Sequence, residues 1–190
     1  MSGDQNAGIG LSFIDILFAF VVGFGLDNVK DKPWVSDFLH NWTNRDLWMF
    51  VLGNAVVVGS WIGYHKVMMG LDREVNTWQS LLRFVVDVIL LFVYFRLLAN
   101  IDNPRLVFAI IFQIFFWYVI WDAIVRTEGA VGREVVKDPI LTIFWFAIYG
   151  VTYLVALNVP WTKYESTEWL ILATMGILWT FLYRLHWLPW

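Results

Sequence analysis

Residues 106–125 read LVFAIIFQIFFWYVIWDAIV, and only Gln113 and Asp122 in this run fall outside the apolar and aromatic types. Wound as an α-helix at about 1.5 Å per residue, such a run reaches about 30 Å, the thickness of a bilayer's hydrocarbon core. Residues 9–26, 47–69, 80–98, 140–159 and 169–188 repeat the pattern. The sequence therefore predicts an all-α integral membrane protein with six transmembrane helices, folded as one domain over residues 1–190. The segments between them (27–46, 70–79, 99–105, 126–139 and 160–168) are too short to hold a second domain. Pro104, Pro139, Pro160 and Pro189 all fall at the edges of these runs, where a missing backbone N–H costs least. In segment 27–46, Trp34, Phe38, Leu39 and Trp42 recur at helical spacing after Pro33. That spacing predicts a surface loop or a short amphipathic helix on the membrane.

Composition agrees with the pattern. Hydrophobic residues make up 59% of the chain, aromatics 19% and charged residues only 15%, against roughly a quarter charged in a soluble domain. Thirteen tryptophans and sixteen phenylalanines suit headgroup belts and packing between membrane helices. With no cysteine, disulfides, thiolate metal sites and cysteine nucleophiles are excluded. A net charge of −3 and the lack of a basic patch give no nucleic-acid motif. Residues 1–8 are polar with no basic stretch, so the first helix is expected to be retained rather than cleaved as a signal. Six spans put both termini on one side. Lys and Arg divide seven to six between the two sides, so charge alone does not orient the protein.

Ionisable residues within the runs are the candidate functional groups, because charge in a bilayer usually faces a bundle interior or a water-filled path. Asp15, His65, Arg83, Asp87 and Asp122, with Arg184 and His186, all fall toward the leaflet that holds the termini. The plain reading of Asp15, His65, Arg83 and Asp87 is a self-satisfying network that fixes helix register. The sharper readings are a proton relay or an ion site. No spacing resembles a metal site, and Ser12, Ser60 and Ser80 have no histidine neighbour to activate them, so neither a catalytic residue nor an enzyme is expected. In the second run Ala55, Gly59 and Gly63 form a small-xxx-small face for close helix packing, with Asn54, Val58, Trp61 and His65 opposite. In the first, Phe13, Leu17, Phe20, Phe24 and Asp27 follow one helical stripe, with Gly23 beside it. Such a stripe is ordinarily core or lipid-facing packing.

The first run also carries Phe13-Ile14-Asp15-Ile16-Leu17-Phe18-Ala19-Phe20. This resembles the Phe-Ser-Asp-(Gly/Ala)-x-(Phe/Leu)-(Ala/Ser)-Ile signature of the transmembrane protein 175 family of potassium-permeable channels. Trp61-Ile62-Gly63-Tyr64-His65 is similar to that family's Trp-x-x-His-His ending of helix 2. The motifs cover about the first third of the chain; beyond it the likeness is one of length and span count. Ile9 stands where the family has an Arg six residues before the Asp, Ile14 replaces the motif Ser and Tyr64 the first His. Arg83, on the same side, is the candidate to replace the missing Arg.

The resemblance implies a homotetramer with a central pore lined by helix 1. Phe20 and Phe24 then fall at the apolar constriction, where the family has Ile or Leu, with Leu17, Gly23 and Asp27 also lining the pore. Rings of Phe would close it by bulk and dewetting, and four copies of Asp27 would gather cations at its mouth. Lys30, one turn on, would blunt that field. Asp15, Trp61, His65, Arg83 and Asp87 would form the structural polar network. The expected function is a gated, potassium-permeable cation channel that needs no cofactor beyond its permeant monovalent cations. It would sit multi-pass in the cell membrane among lipids, both termini cytoplasmic. A separate regulatory partner or ligand would open it, as in a membrane-depolarising effector of bacterial anti-phage defence. Segment 126–139 is one surface for such a partner, although Glu128, Glu134 and Asp138 balance its Arg126, Arg133 and Lys137 as in an ordinary solvated loop. A proton-coupled carrier and a non-conducting membrane scaffold are the alternatives.

Overall fold

The computed structural model describes residues 3–36, 43–70, 77–127, 139–159 and 167–186, and every regular element among them is helical. We number the helices α1 (Gly3–Val29), α2 (Pro33–Ser36), α3 (Arg45–Gly70), α4 (Thr77–Ala99), α5 (Pro104–Thr127), α6 (Pro139–Asn158) and α7 (Thr167–His186). Six of them overlie the six apolar runs. Most extend past the apolar residues, because backbone hydrogen bonding continues into polar residues until a cap or a proline ends it. Pro33, Pro104 and Pro139 each open a helix, at the position where their fixed φ and missing donor cost nothing. Asn44 caps α3, its side-chain oxygen accepting from the N–H groups of Asp46 (2.8 Å) and Leu47 (3.2 Å). Asn103 caps α5 in the same way, through the N–H of Leu106 at 3.3 Å.

Among the described residues, three helical stretches are long and apolar enough to cross a membrane: Arg45–Met68, Pro104–Thr127 and Pro139–Asn158. The outward faces of the helices carry large apolar side chains. Phe92 on α4, Ile140, Val151 and Leu154 on α6, and Leu178 and Phe181 on α7 are all exposed. A soluble surface rarely shows so wide an apolar area.

The helices close into a ring. α1 packs on α3 and α4, α4 on α5, α5 on α6, α6 on α7, and α7 back on α3, which also leans across to α4 and α5. Helix α3 is thus a centre of the bundle rather than a support for α1 alone. Aromatic rings fill much of the α5–α6–α7 side. Phe115 stacks on Tyr149 at 4.3 Å and Phe112 on Phe146 at 4.6 Å. Near α1, glycines of two helices crowd Leu98 of α4, which is wholly buried. A Cβ added at Gly25 would stand 2.7 Å from Leu98 Cδ1, and one at Gly53 would stand 3.1 Å from its Cδ2. Two helices clasp one leucine because each offers it a glycine.

Of the surface loop or short amphipathic helix expected in segment 27–46, the described residues include the single turn of α2. Its Trp34 is buried, packing on Phe50 at 5.9 Å, so the ring serves the core rather than the membrane surface. Phe38, Leu39 and Trp42 lie outside the described residues, as does most of segment 126–139.

Candidate functional site

Helix α1 has two faces with different fates. Phe18, Val21, Gly25 and Val29 are buried against the bundle. On the opposite side Ile16 is 55% exposed and Phe20 65%, nothing lies within 4 Å of a Cβ built at Gly23, and the Asp27 side chain is 70% exposed. These four residues are spaced four, three and four apart. That is the spacing of a seam between long helices, which repeats every 3.5 residues. The stripe expected from sequence is turned slightly by the packing: Leu17 is half-buried against the core, and Phe24 leans on Phe95 of α4, edge to face at 5.3 Å. Phe20 points outward most directly. At the end of the ridge Asp27 accepts a hydrogen bond from Lys30 Nζ at 2.6 Å. That contact holds the Lys30 ammonium above its ordinary pKa, with the charge of Asp27 and then of Asp31 adding to it.

Two ties fix the rotation of α1. Toward α3, Asp15 Oδ1 accepts from Trp61 Nε1 at 2.9 Å and is also hydrogen-bonded to His65 Nε2. Trp61 and His65 meet edge to face at 4.9 Å, as expected for residues one turn apart on the same helix. Toward α4, Asn28 Nδ2 donates to the carbonyl of Leu98 at 3.0 Å, satisfying one of the carbonyls left open at that helix's end. The structure therefore joins Asp15, Trp61 and His65. Arg83 and Asp87 stand beside Tyr64, whose hydroxyl shares a hydrogen bond with Asp87 and which also feels the charges of Arg83 and Asp15. Trp61 and His65 both reach Asp15 from α3.

Behind α1 lies a chamber of about 50 Å³ between α1, α3, α4, α5 and α7. Phe18 closes its α1 side. Ser60, Tyr64, Asp87, Tyr94, Tyr118, Trp121, Asp122 and Tyr183 are among the residues that line it, and most of its wall is apolar. Asp87 is 7% exposed and Asp122 3%. Trp121 Nε1 donates to Asp87 Oδ1 at 2.8 Å, and Thr142 Oγ1 donates to Asp122 Oδ2 at 2.5 Å. The Tyr118 hydroxyl joins that of Tyr94 at 3.0 Å and that of Ser60. Sequence reading had placed Asp87 and Asp122 in one leaflet and missed the tyrosines. Their signal was available: a hydroxyl in the middle of a Phe-, Leu- and Ile-rich span must find a buried partner. Among the described residues no group of three or more His, Cys, Asp or Glu is placed to hold a metal ion.

Among the described residues, fold and site together define a helical protein with three candidate membrane-spanning helices, the architecture of a membrane protein. No family profile, curated protein or solved structure matches this chain.

Proposed function

We propose that this chain is one subunit of a gated, potassium-permeable cation channel, with six membrane spans and α1 lining a pore shared by four copies. The observation that carries the proposal is the outward ridge Ile16–Phe20–Gly23–Asp27. Its spacing is that of a helix seam, it is uncovered among the described residues, and it is held at a fixed rotation by Asp15, Trp61 and His65. In a ring of such ridges, Phe20 forms the tightest apolar collar and Phe24 flanks it. Asp27 stands at one mouth, part of its field cancelled by Lys30. The likeness of Phe13–Phe20 and Trp61–His65 to the transmembrane protein 175 signatures supports the same assignment. Both termini are cytoplasmic in this reading, and a separate partner opens the pore, as suits a depolarising effector of anti-phage defence.

The test is the mass of the assembly in detergent, followed by potassium flux from loaded liposomes. A tetramer whose flux rises when Phe20→Ala shrinks the collar is the expected result. A monomer, or an absence of flux in both wild type and Phe20→Ala, refutes the proposal. The buried carboxylates of the chamber favour a second reading, a proton-coupled carrier. In that case Asp87→Asn abolishes transport while Phe20→Ala leaves it unchanged.

A further inference from the structure

We infer that the chamber behind α1 is a binding site for a small, uncharged, apolar molecule taken up from the bilayer. Most of its wall is apolar, and Phe18, Val67, Leu90 and Leu91 bring side chains with no polar atom. The polar residues of the wall spend their hydrogen bonds inside the bundle. Ser60 Oγ donates to the Val56 carbonyl and meets the Tyr118 hydroxyl, which also meets that of Tyr94. Asp87 accepts from the Trp121 indole. Asp122 accepts from Thr142 of α6, a residue outside the lining. Among the described residues, no chamber residue has a wholly buried polar side-chain atom left without a partner.

That wall selects by what it does not ask for. A water held in a protein interior makes about three hydrogen bonds, and a buried ion needs a partner of opposite charge. Here those groups are already engaged with one another. An apolar guest needs only contact, and it gains that contact without displacing a hydrogen bond. Volume then sets its size. The chamber holds about 50 Å³, roughly a third of the ~150 Å³ apolar cavity that accepts benzene. A third of benzene is about two heavy atoms, the size of ethane, a diatomic gas or one xenon atom. The surroundings supply such solutes, because the exposed Phe92, Leu178 and Phe181 belong to faces that meet the apolar phase where they concentrate.

The site also has a way to act. Phe18 lies on the buried face of α1, opposite Phe20, so an occupant braces the back of the helix whose front forms the ridge. Any effect on flux rests on the channel reading; binding does not.

The experiment dissolves xenon at rising pressure in detergent micelles that carry the full chain, and follows its Val and Leu methyl groups by NMR. Saturable shifts are expected at Val67, Leu90 and Leu91, at least tenfold larger than at Val151 and Leu178 on the outer faces. Methanol, small but polar, should give no saturable shift. Leu91→Phe, which fills the chamber, should abolish the xenon response, whereas Phe92→Ala on the outer face of α4 should leave it unchanged. Phe18→Ala, which enlarges the chamber, should admit benzene where the wild type does not. A saturable methanol shift, equal xenon shifts at inner and outer methyls, or a response that survives Leu91→Phe overturns the inference. So does a contact between the detergent's terminal methyl and Leu91 that xenon does not displace, because a lipid tail would then fill the space. Absence of potassium flux under every condition refutes the channel reading and leaves the binding result standing.

Discussion

Gly23 and Gly25 stand two residues apart on the same helix, and replacing each by alanine separates helix propensity from packing. Both substitutions gain about 0.5–1 kcal/mol by removing a flexible glycine from a helix interior. At Gly23 the new methyl meets nothing within 4 Å. At Gly25 it would stand 2.7 Å from Leu98 Cδ1 and 3.4 Å from Leu98 Cβ. Leu98 cannot easily yield: it is wholly buried, and its other methyl already stands 3.1 Å from where a Cβ would sit at Gly53. Overpacking of this kind costs about 1–3 kcal/mol. Gly25→Ala should therefore be less stable than Gly23→Ala by about that amount, or roughly 2–12 °C of melting temperature for a chain of this size. The assay is thermal unfolding in detergent, followed by helical circular dichroism. Leu98→Ala alone should cost about 2–5 kcal/mol through the cavity it leaves. Combined with Gly25→Ala it should cost less than the sum, because the added methyl partly refills the space. A Gly25→Ala variant as stable as Gly23→Ala, or strict additivity with Leu98→Ala, refutes the clasp.

Asp15→Ala should lower stability by about 1–3 kcal/mol, since it removes the acceptor shared by Trp61 Nε1 and His65 Nε2. Trp61→Phe should reproduce about half of that loss, and the melting curves of the two single variants and the double variant will show whether they act through one contact. Asn103→Ala should cost about 0.5–2 kcal/mol by removing the α5 cap, whereas Asn103→Asp should cost much less, both read from the same unfolding transition. The Lys30 ammonium, held high by Asp27, should return to the ordinary lysine range in Asp27→Asn, as followed by NMR titration. Because its folded pKa is raised, the pair is complete below a lysine's ordinary pKa of about 10.4 and is lost as pH rises through the folded value.

Much of the fold was written in one-dimensional pattern, because a helix in an apolar solvent must satisfy its own backbone and announces itself by length and composition. Runs such as 106–125 and prolines such as Pro104 and Pro139 therefore marked the helices to within a few residues. Which helices touch was not written there. Every face of a membrane helix is apolar, so periodicity does not distinguish a face packed on protein from one packed on lipid. That is why the place of α3 and the clasp of Leu98 by Gly25 and Gly53 emerge only in three dimensions, while Ala55, Gly59 and Gly63 looked the better packing face. Polar residues are the exception. Asp15 and His65 had few partners at their depth and could be paired by antiparallel geometry, whereas Asp87 had several and its Trp121 partner was not foreseen. Helical spacing likewise does not say whether the ring of Trp34 faces lipid or Phe50.

The rotation of α1 decides what the molecule can do, and two chemically different contacts set it. The Asp15 tie holds the helix from the α3 side through polar atoms, and the Leu98 clasp holds it from the α4 side through shape alone. Between them they leave Ile16, Phe20, Gly23 and Asp27 facing out, with Phe18 against the chamber. Turning α1 by one residue, about 100°, would carry Phe20 toward the bundle and break both contacts together. The proposed gate and the chamber thus lie on opposite faces of one rigidly held helix. A change at the chamber reaches Phe20 only by moving α1 as a body, which requires either the Asp15 tie or the Leu98 clasp to give. Variants that loosen one of them, Asp15→Ala or Leu98→Ala, should therefore lower the stability of the bundle and the threshold for flux together. A raised flux without any loss of stability would separate the two and show that the gate moves by a side-chain turn of Phe20 instead.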